Sequence, residues 1–416
     1  MADLLAHERT SPPPVGVPRS WALLVVPAVV AGVIGVVTGL EAWTMLVVAL
    51  GAGLGAVLLV RLEWAVLVVV AASVFEDYLV LVTPWASKGL AVVLMASWLI
   101  RRSWGRLHDG PRSAVVLAAL GFFVVLLLAT VVHNNGRPGA DIVIRYVGFL
   151  AVLAVLVDTM RGGLAPERVA RVYVWACAAA SVCGLVAFAN GVDRRVVGPI
   201  ADANDLAFFL VAAVPLALVL RARSSRSWLY DFALVLTLAA ILGTLSRGAL
   251  VGLGAMLVVA VVVRIITLRT AALILVPVVT AGAILVGAFS DLIEVSLERK
   301  AAVADQNVSE RLDLWNAAGA MARDSPLIGQ GPGSYSLYHQ DYVEELPVDV
   351  THRLDVAHNT YLEVLAELGM LGLLALLVLL LIALWSAWAR WRRTGDRLAA
   401  GVFVALIGTA VTATFV

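Results

Sequence analysis

Residues 113–132 read SAVVLAALGFFVVLLLATVV, a run without a single charged side chain. A helix of about 20 residues is about 30 Å long, which matches the hydrocarbon core of a bilayer. A soluble core helix is usually nearer a dozen residues long, and a barrel strand would alternate apolar and polar residues, which this run does not. The run therefore predicts a helix that crosses a membrane.

The same pattern recurs along the chain, in which 62% of the 416 residues are hydrophobic and 14% are charged. An average soluble protein is about 25% charged, so the composition also favours a membrane protein. We expect an all-α, polytopic transmembrane helix bundle of about 12–14 spans. The candidate spans are residues 21–40, 43–60, 64–82, 87–100, 113–132, 142–158, 168–190, 205–220, 230–246, 248–264, 271–289, 360–387 and 398–416.

Orientation is predicted from the basic residues, because loops rich in Lys and Arg stay in the cytoplasm. Every second connection is basic, and these seven segments hold 19 of the 30 basic residues but 8 of the 29 acidic ones. This bias places the N-terminus in the cytoplasm and the opposite loops outside. We therefore expect a cytoplasmic tail (1–20), a bundle of eleven spans (21–289), a long extracytoplasmic loop with short helices (290–359) and C-terminal spans (360–416).

The two ends of the chain carry their own expectations. The apolar run 21–40 is too long for the core of a signal peptide, so we expect a retained span. The last run reaches Val416 without a polar cap, the pattern of a chain that continues further. A net charge of +1 gives no reason to expect nucleic-acid binding. Cys177 and Cys183 lie in one apolar run, where we expect free thiols.

Arginines on the predicted outer side are the first candidates for chemistry. Arg145 lies just inside a span, Arg194 and Arg195 precede the eighth span, and Arg247 lies in a tight turn between two spans. Such residues either extend to lipid phosphates, which we favour for Arg194, or face a ligand. The tight turn at Arg247 favours a ligand. Because guanidinium binds phosphate with two parallel hydrogen bonds, a lipid-borne pyrophosphate and an ordinary phospholipid both fit.

Histidine is the second candidate, since His358 directly precedes the twelfth span. Imidazole can act as a general base near neutral pH, although a helix-capping polar cluster explains the position equally well. Upstream, Ser309 to Arg323 predicts a helix with Leu314, Ala317, Ala318 and Met321 on one face. We interpret two acidic stretches, Glu76-Asp77 and Asp202 to Asp205, as helix caps rather than cation sites.

Three stretches together resemble the O-antigen ligase and O-antigen polymerase family of bacterial envelopes. They are Thr244-Leu-Ser-Arg-Gly-Ala-Leu, then Ser309-Glu-Arg-Leu-Asp-Leu-Trp with the downstream Asp324-Ser-Pro-Leu-Ile-Gly-Gln-Gly-Pro-Gly-Ser-Tyr, and Ala357-His-Asn-Thr-Tyr-Leu-Glu with Glu367-Leu-Gly-Met-Leu-Gly-Leu. The resemblance covers roughly residues 235–380. A weaker likeness lies upstream, at Arg195-Val-Val-Gly and Asn204-Asp-Leu-Ala.

The resemblance implies an inverting membrane glycosyltransferase without a metal or cofactor. It would move a glycan from an undecaprenyl-pyrophosphate carrier to a hydroxyl of a glycan, lipid or protein acceptor during envelope polysaccharide biosynthesis. In this interpretation His358 is the base and Arg247 stabilises the leaving pyrophosphate, at an extracytoplasmic site of the bacterial inner (plasma) membrane. The implied substrate-binding residues are Arg195, Arg311, Arg145, Asn359 and Asn204.

Other functions stay open on the sequence alone. A transporter or flippase for a polar solute or a lipid-linked sugar would also need many spans, but it predicts ionisable groups near mid-membrane and internal repeats. The unusual charges here lie at the outer ends instead, which favours a one-sided site. A structural scaffold would leave Arg247 and His358 dispensable. Within the family, ligase and polymerase are not separated by any motif in the chain.

Overall fold

The computed structural model describes residues 42–82, 86–103, 113–192, 195–200, 202–272, 274, 276, 311–342 and 356–415. The described residues form helices and connections and contain no β-strand. Several predicted features lie outside them: the first span at 21–40, most of the span at 271–289, and the residues Arg194 and Ser309. Within the described residues, the all-α prediction is confirmed.

The helices match most of the predicted spans. Those before the long loop are α1 (Ala42–Val60), α2 (Leu62–Ala72), α3 (Glu76–Val82), α4 (Ala86–Ser103), α5 (Ala114–Val132), α6 (Gly136–Arg161), α7 (Pro166–Ala189), α8 (Ala203–Arg223), α9 (Ser227–Gly243) and α10 (Arg247–Val262). The later ones are α11 (residues 311–324), α12 (Ser334–Tyr338), a 3-10 turn (His339–Tyr342), α13 (Thr360–Thr394) and α14 (Arg397–Thr412).

Five of the described helices, α5, α6, α7, α8 and α13, are long and apolar enough to cross a membrane. Shorter apolar helices accompany them. The protein is therefore a multi-pass membrane protein with an all-α fold. It forms two compact units, Met1–Arg61 and Leu62–Val416. Helix α1 belongs to the first unit, and all packing described below is within the second.

One predicted span, 64–82, is two helices rather than one. The chain leaves the helical path after Ala72, where the Ser73 hydroxyl donates to the Val70 carbonyl at 2.9 Å. Helix α3 then starts with Glu76 and Asp77, acidic residues that favour a helix N-terminus. The backbone N–H of Asp77 donates to Pro199 O at 3.2 Å. Hydropathy alone could not reveal this break, because the flanking residues are apolar on both sides.

Helix α8 is the centre of the second unit. Most of its side chains between Ala203 and Leu220 are buried, and it packs against α7, α9, α10 and α14. Asp202 caps its first turn by accepting from the backbone N–H groups of Asn204 and Asp205. The cap confirms the interpretation of Asp202 as structural. It also fixes the end of α8 that carries Asn204.

Helix α13 is interrupted at Gly369, whose φ of 64° and ψ of −164° lie outside the helical region. The break frees backbone groups that a preceding segment satisfies: Gln330 N donates to Ala366 O at 2.9 Å, and Gly331 N to Glu367 O at 2.8 Å. In return Met370 N donates to Pro326 O at 2.8 Å. The turn-rich segment 326–333 thus supports the broken helix by hydrogen bonds, and we call it the brace. This part of the Asp324–Tyr335 motif therefore has a structural role.

Substituting alanine at Gly329 tests the brace. Gly329 has a φ of 74°, and a Cβ there would collide with the backbone of Glu367. Left-handed backbone alone costs an L-residue about 1–2 kcal/mol, so we expect Gly329→Ala to destabilise the fold by at least about 2 kcal/mol. Gly254→Ala is the matched control, because its Cβ meets nothing within 4 Å. In a thermal unfolding scan in detergent, equal transitions for both variants would contradict the brace.

Candidate functional site

His358 lies in a short segment that is fixed from two sides. The Trp315 indole N–H donates to Ala357 O at 3.1 Å, and Ala357 N donates to the Glu363 carboxylate at 3.2 Å. Asn359 then caps α13 by accepting from the N–H groups of Tyr361 and Leu362. The backbone of His358 itself has a φ of 48°, a conformation that costs a non-glycine residue about 1–3 kcal/mol. Tightly held, strained residues of this kind concentrate at functional sites.

A cavity of about 570 Å³ opens beside His358. Helices α5, α6, α8 and α13 contribute to its wall, together with Pro332 of the brace. Its apolar and aromatic side includes Leu126, Tyr146 and Phe149. Polar and charged lining groups are Arg145, Asp202, Asn204, Asp205, His358, Thr360, Glu363 and Glu367. The cavity therefore offers both hydrogen-bonding groups and aromatic surface to one ligand.

Arg195 is placed by the residue that follows it. Val196 is fully buried and its N–H donates to Gly243 O at 2.8 Å. The side chain of Val196 fits a slot between Gly184 and Gly243, where a Cβ on either glycine would collide with it. This anchor leaves Arg195 half-buried at the surface of the slot. Only small residues at both glycine positions allow so close an approach.

The Arg195 guanidinium is held in one orientation by two acceptors. Its Nε donates to Thr244 O at 2.6 Å, and its Nη2 donates to Asn204 Oδ1 at 3.4 Å. Asn204 is buried and also lines the cavity. Burial lowers the pKa of Arg195, while Asp202 opposes that shift. The side chain stays charged in any case, because arginine does not deprotonate in proteins.

Arg247 and Arg195 both lie close enough to Arg311 for their positive charges to act on it. Arg247 is the first residue of α10, where Ser246 caps the helix by accepting from Ala249 N at 3.3 Å. Burial lowers the pKa of Arg311, and the positive charges of Arg195 and Arg247 lower it further. Within the described parts of the chain, none of these three guanidinium groups forms an ion pair with a carboxylate. Three mutually repelling cations that form no ion pair with a described carboxylate are suited to a polyvalent anion.

His358 is electrostatically coupled to this arginine group. Burial is the main cause that lowers the pKa of the imidazole, the charge of Arg311 lowers it further, and Asp202 acts in the opposite direction. The imidazole is therefore neutral at neutral pH. A neutral imidazole that lines a cavity can accept a proton from a bound hydroxyl group.

The structure brings most of the predicted site residues together. His358, Asn204 and Arg145 line the cavity, while Arg195, Arg247 and Arg311 form the adjoining group of cations. For Asn359 the structure shows a different task, since its side-chain oxygen caps α13. This capping contact does not test the role of Asn359 in substrate binding, which stays a prediction.

The sequence analysis did not predict that two glutamates of α13 line the cavity. Glu363 and Glu367 are four residues apart, so they share one face of α13, and both line the cavity. Glu367 is 9% exposed and accepts from Tyr335 N at 3.2 Å. Two carboxylates at helical spacing in an apolar run are costly in a membrane, and that cost is the signal that could have identified them. Tyr146 and Phe149 carry no comparable signal.

The cysteines are free, with Cys177 buried and Cys183 half-buried. His339 is buried too: its ring stacks on Tyr335 at a centroid distance of 5.3 Å, and its Nδ1 lies 2.9 Å from Tyr335 O. His339 is therefore part of the core under α11 and not of the cavity. It cannot serve as a neutral control for substitutions of His358.

Comparison with known proteins supports the resemblance found in the sequence. No curated protein matches the chain. Residues 232–377 match the model of a family described as O-antigen ligase. This region runs from α9 to α13 and includes Arg247, Arg311 and His358, whereas Arg195, Asn204 and Arg145 lie before it. Over residues 232–377 the chain is thus similar to the O-antigen ligase family.

Proposed function

We propose that the protein is an inverting glycosyltransferase that moves a glycan from an undecaprenyl-pyrophosphate carrier to an acceptor hydroxyl. The match of residues 232–377 to the O-antigen ligase family supports glycan transfer of this type in envelope polysaccharide synthesis. The observation that carries the finer proposal is the group of three arginines, none in an ion pair with a described carboxylate, beside a cavity lined by a neutral histidine. The first suits a pyrophosphate, and the second suits an acceptor alcohol.

In the proposed reaction, Arg195, Arg247 and Arg311 bind the two phosphates of the donor. The acceptor oxygen attacks the anomeric carbon from the side opposite the phosphate, while its proton passes to His358. The new glycosidic bond forms as the bond from carbon to phosphate oxygen breaks, and both electrons of that bond stay on the pyrophosphate. The arginines are already in place where this negative charge grows, which lowers the barrier without reorganisation.

The sugar rings of donor and acceptor would occupy the cavity. Carboxylates and the Asn204 amide can bind hydroxyl groups, and the Tyr146 and Phe149 rings offer apolar faces to sugar C–H groups. Glu363 has a further task in this proposal. By accepting from Ala357 N it holds the segment that carries His358, so it orients the base without touching the reacting atoms.

The proposed function is tested directly by reconstitution. Purified protein in vesicles receives a radiolabelled undecaprenyl-pyrophosphate glycan and an unlabelled glycan acceptor. We expect label to move to the acceptor and undecaprenyl pyrophosphate to accumulate in equal amount. The anomeric configuration of the new bond should be opposite to that of the donor. Retention of configuration, or no transfer to glycan, lipid or protein acceptors, would contradict the proposal.

The interruption of α13 at Gly369 favours a second candidate, a transporter or flippase of lipid-linked sugars. Transporters often bind substrate at broken helices near the membrane centre. The same vesicles discriminate between the two functions. A flippase would move the labelled donor from one leaflet to the other and leave the bond between its sugar and its pyrophosphate intact.

We further propose that the site faces the outside of the inner membrane, with the N-terminus in the cytoplasm. Gln340 lies in the predicted outer loop and Ser225 lies in a predicted inner one, and both are exposed. In a chain with Cys177 and Cys183 replaced, Gln340→Cys should react with an impermeant maleimide in intact cells. Ser225→Cys, the matched control, should react only after the membrane is opened. The reverse pattern would overturn the orientation. Gln330 is less useful, because it is half-buried in the brace.

A further inference from the structure

A second cavity lies at the opposite end of α10 and α13 from His358. Its volume is about 430 Å³, and three helix ends meet there: the C-termini of α10 and α13 and the N-terminus of α14. Arg264, Arg392 and Arg397 are among its lining residues. The remaining lining is Val262, Val263, Ile265, Trp391, Gly395 and Ala400. The cavity is therefore amphipathic, because it is lined by both cations and apolar side chains.

The charge of this cavity is not neutralised by the described residues. None of the lining residues is acidic, and none of the three arginines forms an ion pair with a described carboxylate. Nearby Asp396 is occupied elsewhere, since it accepts from Arg390 at 3.0 Å and from Arg223 at 3.2 Å. Arg392 lies over the Trp388 ring, 5.8 Å from its centroid, which orients the guanidinium without cancelling its charge.

A neighbouring basic cavity shows the contrast. It contains Arg171, Arg223 and Arg226, but Glu167 also lines it and pairs with Arg223 at 2.9 Å. Arg223 pairs with Asp396 as well. That cavity carries its own counter-charge, whereas the cavity between α10, α13 and α14 does not. The cavity between α10, α13 and α14 is consequently better suited to an external anion than the neighbouring cavity is.

The position of the cavity narrows the kind of anion. Helix α13 continues for 25 residues beyond Gly369 to Thr394, about 38 Å at 1.5 Å per residue, so its end reaches the membrane boundary. Trp388 and Trp391 lie in its last turns, the placement that tryptophan favours at the headgroup level. Val262, which lines the same cavity, is 73% exposed. A ligand here meets cations at headgroup level and hydrocarbon next to them.

We propose that this cavity binds the phosphate of an anionic phospholipid, with Arg264, Arg392 and Arg397 around the headgroup and the lipid chains against Val262 and Ile265. Pockets of basic residues between membrane helices are suited to such headgroups. The site is separate from the proposed glycan-transfer site, and its occupant would fasten together the ends of α10, α13 and α14. A purely structural reading assigns the arginines to the carbonyl groups at the two helix C-termini.

Lipid binding to the full chain in detergent tests the proposal by native mass spectrometry. The probes are phosphatidylglycerol and, as the zwitterionic counterpart without net charge, phosphatidylcholine. Each arginine near a phosphate is worth about fivefold in affinity, so we expect R392Q/R397Q to weaken phosphatidylglycerol binding by about 25-fold. R393Q is the matched control, because Arg393 is an exposed neighbour on α13 that does not line the cavity. Its affinity should stay within about twofold of the parent chain.

Several results would overturn the site. Equal losses in R393Q and R392Q/R397Q would show a general surface attraction, and equal binding of both lipids would show that the headgroup charge is not recognised. Displacement of phosphatidylglycerol by inorganic pyrophosphate at the same concentration would identify a soluble anion instead. Should R392Q/R397Q lower the thermal transition in detergent, R264Q replaces it, with an expected loss of about fivefold. Unchanged binding in R264Q would then refute the proposal.

Discussion

His358→Gln is expected to lower the rate of glycan transfer by about a hundred- to ten-thousandfold, the usual contribution of a positioned general base. Glutamine can still make hydrogen bonds, but it cannot accept the proton of the acceptor hydroxyl. Donor affinity should change little, because the arginines and not the imidazole would hold the pyrophosphate. The measurement is single-turnover transfer in vesicles, with donor binding determined separately in the same preparation.

The matched control for this substitution is His133→Gln. His133 is a half-exposed residue at the end of α5 and does not line the cavity. It should retain near-normal turnover. A near-normal rate for His358→Gln would leave the histidine only its backbone role before α13. The base would then have to be another group that lines the cavity, of which Glu363 is the nearest along the chain.

The pH dependence gives an independent check on His358. Burial and the charge of Arg311 hold the pKa of this imidazole below its ordinary value of 6.5. Transfer should therefore rise with pH along an acid limb that lies below 6.5, since the neutral form is the active one. Arg311→Gln removes one of the two causes and should shift the limb towards higher pH. A limb that stays in place in Arg311→Gln but disappears in His358→Gln would separate the base from its proposed electrostatic neighbour.

The fold class could be predicted from the sequence because membrane-spanning helices are recognised as long apolar runs. The run 113–132 became α5, and the runs at 205–220 and 360–387 became α8 and α13. The loop helix was accessible for another reason. Leu314, Ala317, Ala318 and Met321 recur at helical spacing, and all four are fully buried. Periodicity and length together carry this information.

What the sequence did not reveal depends on contacts between distant segments. The break at Gly369 is visible only with its brace, since Pro326, Gln330 and Gly331 satisfy the freed backbone groups from about 40 residues away. The anchoring of Arg195 likewise needs Gly184 and Gly243 on either side of Val196. The sequence motifs include Arg195, the segment 326–333 and Gly369, but they do not include Gly184 or Gly243. Which of them touch the ligand and which only hold the backbone required the three-dimensional arrangement.

Substitution of Arg247 is expected to have the other large effect, a loss of donor binding. In the proposed mechanism its guanidinium makes charge-assisted hydrogen bonds to the donor pyrophosphate, and such bonds contribute roughly 1.5–3 kcal/mol each. Arg247→Ala should therefore weaken donor binding by about ten- to hundredfold, with a further loss in rate if the contact tightens as the phosphate leaves. Arg247→Lys keeps the charge but loses the planar pair of donors, so it should remain impaired.

Arg247 tests the donor site more cleanly than Arg195 does. Arg195 donates to Thr244 O and Asn204 Oδ1, so Arg195→Ala would leave an acceptor unpaired and disturb the turn before α10. The Arg247 side chain is exposed, and the cap of α10 rests on Ser246. Arg137→Ala is the control for charge, because Arg137 is also exposed and pairs with Asp141 on its own helix. If labelled undecaprenyl-pyrophosphate glycan binds Arg247→Ala as tightly as Arg137→Ala, the arginine group is not the donor site. The cations would then serve phospholipid headgroups, and the pyrophosphate would have to be sought near Arg145.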